Sequence, residues 1–170
     1  MITKEFGKGK CLTGHKPNDM ITTPIEISKQ VIDMFNLYGK VLDPFKGSGS
    51  FYDQFPDSVI KDWCEINEGR DFFDYVDRVD WIISNPPYSI LDDVLDHSFM
   101  LADNIVYLLP LSKVVSSMGR IRKINNYGGV PYIYILSASK CKFPFGFPAC
   151  AVHFKRGYKG STEIKVDGSV

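Results

Sequence analysis

The sequence predicts an α/β domain: a compact, doubly wound, mostly parallel sheet with helices on both faces and an antiparallel last strand. Three observations carry this. Short apolar runs alternate with stretches of helical period along most of the chain, the pattern of strands joined by crossover helices. The run at residues 104–109 is almost uninterrupted, as in a strand buried on both faces. The final run, 149–154, instead puts Cys150, Val152 and Phe154 on one side, which suits an edge or antiparallel strand.

The elements follow in order. Residues 1–20 are rich in Gly, Lys and Asn with weak periodicity and are expected to form a basic arm. A helix then begins with Thr23 as N-cap, Pro24 at its first position and Glu26 completing a capping box. Ile27, Val31, Met34, Phe35 and Tyr38 share one face, and Gly39 is the expected stop. Strands are expected at 41–43, 58–63 and 80–84, with a very short one within 69–73. Ser89 is expected to cap a helix running to about residue 102. After the buried strand, residues 112–126 read as a helix ending at Gly128 and Gly129, followed by strands at 132–136 and 149–154 and a polar tail, 156–170. The connections at 44–57 and 65–79 are short for long crossover helices, so the domain is a lean one. At 170 residues the chain forms one domain with room for a proper core.

Twenty Lys and Arg balance twenty Asp and Glu, but unevenly. Residues 53–103 hold 3 basic and 13 acidic side chains, and residues 104–170 hold 10 and 2. A basic C-terminal part is compatible with a phosphate backbone, although solvated surface explains it equally. Arg120, Arg122 and Lys123 read by default as one solvated helix face. Cys11, Cys64, Cys141 and Cys150 form no closely spaced pair and read as reduced thiols. Cys11 with His15 lacks a second pair of ligands, so no metal is expected. No run approaches the roughly 20 apolar residues of a membrane span, and no secretory signal is visible, so a cytoplasmic setting without membrane attachment is expected.

In a doubly wound sheet, ligands bind beyond the carboxyl ends of the strands. Three features fall there. The loop DPFKGSG, from Asp43 to Gly49, lets backbone approach a ligand closely, but it is neither a P-loop nor a GxGxxG turn. Its leading Asp43 disfavours phosphate and favours a cation. Glu65 follows the second strand, where a carboxylate suits ribose hydroxyls. The third feature is Asn85-Pro86-Pro87-Tyr88. Two prolines make a stiff, extended stretch of acceptors beside an aromatic ring.

DPFKGSGSF followed by SNPPYS resembles the S-adenosylmethionine-dependent adenine-N6 DNA methyltransferases. TTPIEISKQVIDMF resembles the segment preceding their glycine loop, and WCEINEGRDFFDY their two acidic cofactor contacts. The resemblance implies a Rossmann-like class I methyltransferase fold and base flipping into the NPPY site. It assigns Asn85 and the Pro86 carbonyl as acceptors for the two N–H bonds of the adenine amine, and Tyr88 as the ring stacked on the base. It places S-adenosylmethionine against Asp43, Pro44, Phe45, Gly47 and Gly49, its ribose on Glu65, its adenine on Asp71 and Phe72, and its carboxylate near Thr23 and Pro24. An aromatic before the last strand closes over the flipped base in this family. In the cluster from Lys142 to Pro148 the favoured residue is Phe147.

The family carries a separate target-recognition region, and this sequence shows none. DNA recognition is then expected from loops, the N-terminal arm, a specificity subunit or a second copy of the chain. Such a minimal enzyme suits a phage or a restriction-modification system, in a prokaryotic or virus-infected cell. Three alternatives stay open: an RNA adenine-N6 methyltransferase, a protein glutamine-N5 methyltransferase and a non-catalytic cofactor-binding subunit.

Overall fold

The protein is described here by a computed structural model covering residues 22–137 and 148–167. The arm at 1–20 and the expectation for Phe147 lie outside the described residues. Seven strands form one sheet: β1 (Lys40–Asp43), β2 (Ile60–Trp63), β3 (Val79–Ser84), β4 (Ala102–Pro110), β5 (Gly128–Ile135), β6 (Ala149–Arg156) and β7 (Glu163–Val166). Their spatial order is β2-β1-β3-β4-β6-β5-β7. All run parallel except β6, which is antiparallel to both β4 and β5. The doubly wound, mostly parallel sheet is therefore present, with its antiparallel strand at 149–156 as expected.

Helices cover both faces. On one, α1 (Ile25–Asp33) places Ile27, Val31 and Ile32 with Phe51 and Phe55 over Val41, Trp81, Ile83, Val106 and Leu108. On the other, α2 (Leu91–Leu101) and α4 (Met118–Tyr127) pack Leu91, Val94, Leu95 and Ile124 against Leu42, Ile82, Ile105, Tyr107 and Leu109. Alternate residues of β4 thus serve opposite cores, the two-faced burial its apolar run implies.

Several local expectations are corrected. Pro24, not Thr23, is the N-cap of α1; its carbonyl accepts from the Ile27 and Ser28 amides, and Glu26 is exposed. The helix stops at Asp33, and Gly39 instead serves the entry to β1. It has φ +66°, and a Cβ there would lie 2.0 Å from the Asp80 carboxylate, which accepts from the Lys40 amide at 2.8 Å. No strand forms within 69–73. Glu65 and Asp71 accept from the amides of Asn67 and Phe73, which curls the chain into two 3-10 turns, Ile66–Glu68 and Phe72–Asp74, instead of extending it. Ser89 lies inside a 3-10 turn, Tyr88–Ile90, and α2 starts after it.

The helix expected at 112–126 is two pieces, α3 (Leu111–Val115) and α4, because Ser117 caps a fresh start by accepting from the Arg120 amide. Gly128 and Gly129 open β5 rather than merely ending a helix: a Cβ on Gly128 would lie 2.0 Å from the Lys155 carbonyl. The polar tail contributes β7, parallel to β5. Arg120 and Lys123 hold α4 to α2 through Asp92 and Asp96, so their charges are spent within the fold. Cys64 and Cys150 are buried thiols. Among the described residues, no helix is long and apolar enough to cross a membrane.

His153 is the buried histidine of the sheet. Its Nε2–H donates to Asn104 Oδ1 at 3.2 Å, and its ring stacks on Trp81 at 5.5 Å. Burial holds it down at about 4, against an ordinary value of 6.5. The unfolded chain therefore binds the proton first as pH falls, and stability drains between pH 6.5 and 4. The expected loss from this group is about 3 kcal/mol. Buried Asp43 contributes an opposite slope in both proteins, so urea unfolding should show His153→Gln gaining on the wild type as pH falls from 6.5 to 4.

Candidate active site

The ends of β1, β2 and β3 converge on one edge of the molecule. Asp43 closes β1 and is 1% exposed. Its Oδ1 accepts from the Ser84 hydroxyl at 2.6 Å and from the Phe45 amide at 3.2 Å. Its Oδ2 is buried and makes no hydrogen bond among the described residues. Burial pushes this carboxyl up to about 7, against the pull of the Ser84 hydroxyl and of the Phe45 and Tyr52 amides, and Glu65 adds a small repulsion. Ser84 closes β3, so this one bond ties the strand end that leads into Asn85 to the acid that heads the glycine loop.

The loop itself turns on two positive φ angles, +51° at Gly47 and +92° at Gly49. Gly49 is required by this conformation, since L side chains rarely adopt it. Glu65 is tied to the same loop: its Oε2 accepts from the Gly47 amide at 2.9 Å, while Oε1 accepts from Asn67. Lys46 reaches over the Trp63 ring at 4.0 Å and pairs with Glu68 at 2.9 Å, bracing the loop to the end of β2.

Beside this loop lies a small open cleft. Pro44, Phe45, Glu65, Asp71 and Phe72 line it together with Ile66, Phe73 and Ile90. Five of the cofactor residues expected from the sequence thus meet in one place. Phe72 is 2% exposed, and its ring meets Phe45 edge-on at 5.3 Å and His97 at 4.8 Å, so it forms the cleft's floor. His97 Nε2–H donates to the Tyr75 carbonyl at 2.9 Å, and burial lowers its pKa, keeping the ring neutral under that turn.

Asn85 lies just past β3. Its Nδ2 donates to Thr23 Oγ1 at 3.2 Å, and its Oδ1 accepts from the Tyr88 hydroxyl at 3.0 Å. The same hydroxyl reaches the Leu108 carbonyl at 3.2 Å. Tyr88 is half-buried against the core, and Pro86 is buried. Thr23 is 4% exposed and contacts Asn85, which is a different partner from the cofactor carboxylate that the resemblance implies. Pro24 is taken up by capping α1. Ser84, Ile66, Phe73 and Ile90 were not among the sequence candidates. Ser84 stands inside SNPPYS, where it reads as the last residue of an apolar strand.

Solved structures share this architecture. A Listeria monocytogenes protein assigned as a class I S-adenosylmethionine-dependent methyltransferase matches with a TM-score of 0.65 at 13% identity, over 91% of this chain and 67% of its own. The chain has the class I methyltransferase fold. A methyltransferase subunit of a type I restriction-modification system from Streptococcus thermophilus matches this fold with a TM-score of 0.65 at 14% identity, over 86% of this chain and 47% of its own. A type I modification subunit from Vibrio vulnificus YJ016 does so at 0.60 and 12%, over 88% and 47%. The chain therefore spans about half the length of these two subunits. No protein-family model and no curated protein matches the sequence. In the order found here, the β1–β3 end of the sheet carries the cleft, which is where ligands sit in open α/β sheets.

Proposed function

We propose that this protein transfers a methyl group from S-adenosylmethionine to the N6 amine of adenine in DNA. The observation that carries the reading is the Ser84–Asp43 bond, which ties the strand end that leads into Asn85 to the acid at the head of the glycine loop. The residues fit the cofactor. Asp43 Oδ2 offers a buried acceptor for a cationic donor, Glu65 and Asp71 offer carboxylates at the rim, and Phe45 and Phe72 offer an apolar floor. When bound, S-adenosylmethionine supplies an electrophilic sulfonium methyl.

The chain's own task is to make a poor nucleophile attack. The adenine amine lone pair is delocalised into the ring. The Asn85 side-chain oxygen and the Pro86 carbonyl accept its two N–H bonds, draw the nitrogen toward tetrahedral geometry and stabilise the positive charge that develops on it. The nitrogen would gain the methyl carbon, whose bond to sulfur breaks with its electron pair left on the resulting thioether, and would release one proton to water, so no strong base is needed. Tyr88 supplies a ring for the extruded base. The type I subunits among the structural neighbours favour DNA as substrate and a partner subunit for target recognition.

The test is product identification. The protein is incubated with methyl-labelled S-adenosylmethionine and, separately, DNA, RNA and a protein extract. Label is expected in N6-methyladenine of DNA. Label only in RNA or only on glutamine moves the substrate, and cofactor binding without transfer to any of the three leaves a binding subunit.

A further inference from the structure

We infer that the protein associates with a second copy of itself through β7, the two β7 strands pairing antiparallel about a two-fold axis at Ile164. Among the described residues β7 pairs with β5 alone and ends the sheet, so its outer edge carries unpaired backbone groups. Ile164 and Val166 share one face of this strand at 58% and 67% exposure, and Glu163 and Lys165 share the other.

Two independent constraints select that register. The first is the backbone. The Asp167 amide donates to the Ile135 carbonyl, and Tyr134 stands opposite Lys165. Successive residues of a strand turn their amides and carbonyls to alternate sides, so those of Glu163 and Lys165 also face β5, while those of Ile164 and Val166 face outward. An antiparallel copy must meet them with outward groups of its own, which places the axis at a residue and not between two. The second constraint is charge. An axis at Glu163 or at Lys165 sets that charge directly opposite itself, which is destabilising. An axis at Ile164 instead sets Glu163 opposite the partner's Lys165, once on each side of the axis. These pairs fall at the positions without mutual hydrogen bonds, where Cα atoms approach to about 4.5 Å and side chains are closest. Ile164 meets its own copy in a hydrogen-bonded pair, and Val166 meets the partner's Thr162.

Within one chain Lys165 Nζ lies 3.5 Å from the Glu163 carboxylate and 4.7 Å above the Tyr132 ring. Pairing joins two such ion pairs into a cluster of four charges of alternating sign, which is worth more than an isolated surface pair. Three strands, β4, β6 and β5, separate β3 from this edge, so the clefts stay open. Because β7 runs parallel to β1–β3, the two clefts lie at opposite edges of one fourteen-stranded sheet. A four-residue strand makes a small contact, so the homodimer is weak and its population depends on concentration.

Sedimentation velocity on the full chain at low salt, over about 5–500 µM, tests this. The wild type is expected to pass from monomer toward dimer across that range. Glu163→Lys and Lys165→Glu each set like charges opposite one another on both sides of the axis and should weaken association by about tenfold or more. The double variant Glu163→Lys/Lys165→Glu makes the opposed charges unlike again and should regain most of it. Wild-type protein that stays monomeric throughout overturns the inference, and so does a dimer that neither single variant weakens. If the double variant does not regain association, residue-resolved amide exchange of the wild type decides. Protection at Ile164 and Val166 that rises with concentration, with Lys165 unchanged, upholds the pairing, and its absence overturns it.

Discussion

Asn85→Ala is expected to slow methyl transfer by about 10²–10³-fold while the protein still binds S-adenosylmethionine with nearly unchanged affinity. The magnitude follows from what the amide oxygen does. Charge appears on the amine only as it attacks, so an acceptor aimed at that nitrogen acts mainly on the transition state and little on the ground state. The cofactor side of the site does not depend on Asn85. Its proposed contacts are Asp43, Glu65, Asp71 and the Phe45–Phe72 floor, held by the Ser84, Gly47 and Phe73 bonds described above. Alanine also frees the Thr23 and Tyr88 hydroxyls, which can turn to other partners, so folding should survive. Single-turnover transfer and calorimetric titration on the same preparation separate the two effects. An Ala variant that transfers at the wild-type rate removes the acceptor mechanism.

The parts of this molecule that were legible in the sequence are those that local chemistry decides. The apolar run of β4, the alternation in β6 and the glycine loop after Asp43 each follow from the residues in place, and the ends of β1, β2 and β3, at or before Asp43, Glu65 and Asn85, lie within two residues of their expected positions. The errors arose where a distant contact overrode a local signal. Thr23 has every mark of an N-cap, but its hydroxyl is taken by Asn85, 62 residues away. Gly39 looks like a helix stop, yet its missing side chain makes room for Asp80; Gly128 does end α4, and its missing side chain also makes room for the Lys155 carbonyl. The third strand failed for the opposite reason. Glu65 and Asp71 were read as ligand contacts alone, and each also accepts a nearby amide that bends the chain. Ser84 could have been found by asking what would satisfy a buried Asp43. The tail strand β7 was missed because its Ile164 and Val166 are more than half exposed, which leaves a polar-looking sequence at a sheet edge.

Asp43→Asn is expected to make the unliganded protein more stable above neutral pH and to cripple cofactor binding. Asp43 is buried with one oxygen lacking a hydrogen bond among the described residues, and burial lifts its carboxyl from an ordinary 3.8 to about 7. The folded state then holds a proton that the unfolded chain has already lost, so its stabilising contribution is complete below pH 3.8 and is lost as pH rises through 7. The full span corresponds to about 4 kcal/mol. Asparagine keeps the Ser84 and Phe45 bonds on its oxygen and carries no charge. Its NH₂ lacks a partner where Oδ2 stood, which costs about 1–3 kcal/mol. The net gain at pH 8 is therefore about 1–3 kcal/mol, shrinking to zero or below at pH 4.5. His153 and His97, both lowered by burial, tilt the other way, so with Asp43 neutralised their loss of stability toward acid should emerge. Urea unfolding of both proteins at pH 4.5 and pH 8 checks the sign, since an equal difference at both pH values would mean that Asp43 ionises as it does in water. The same variant should lose S-adenosylmethionine affinity by about tenfold or more, because an amide nitrogen cannot accept from a cationic donor and the buried negative charge is gone. A buried acid that costs the empty fold stability at neutral pH is what a site shaped for binding rather than for stability would hold, in keeping with the proposed cofactor role of Asp43.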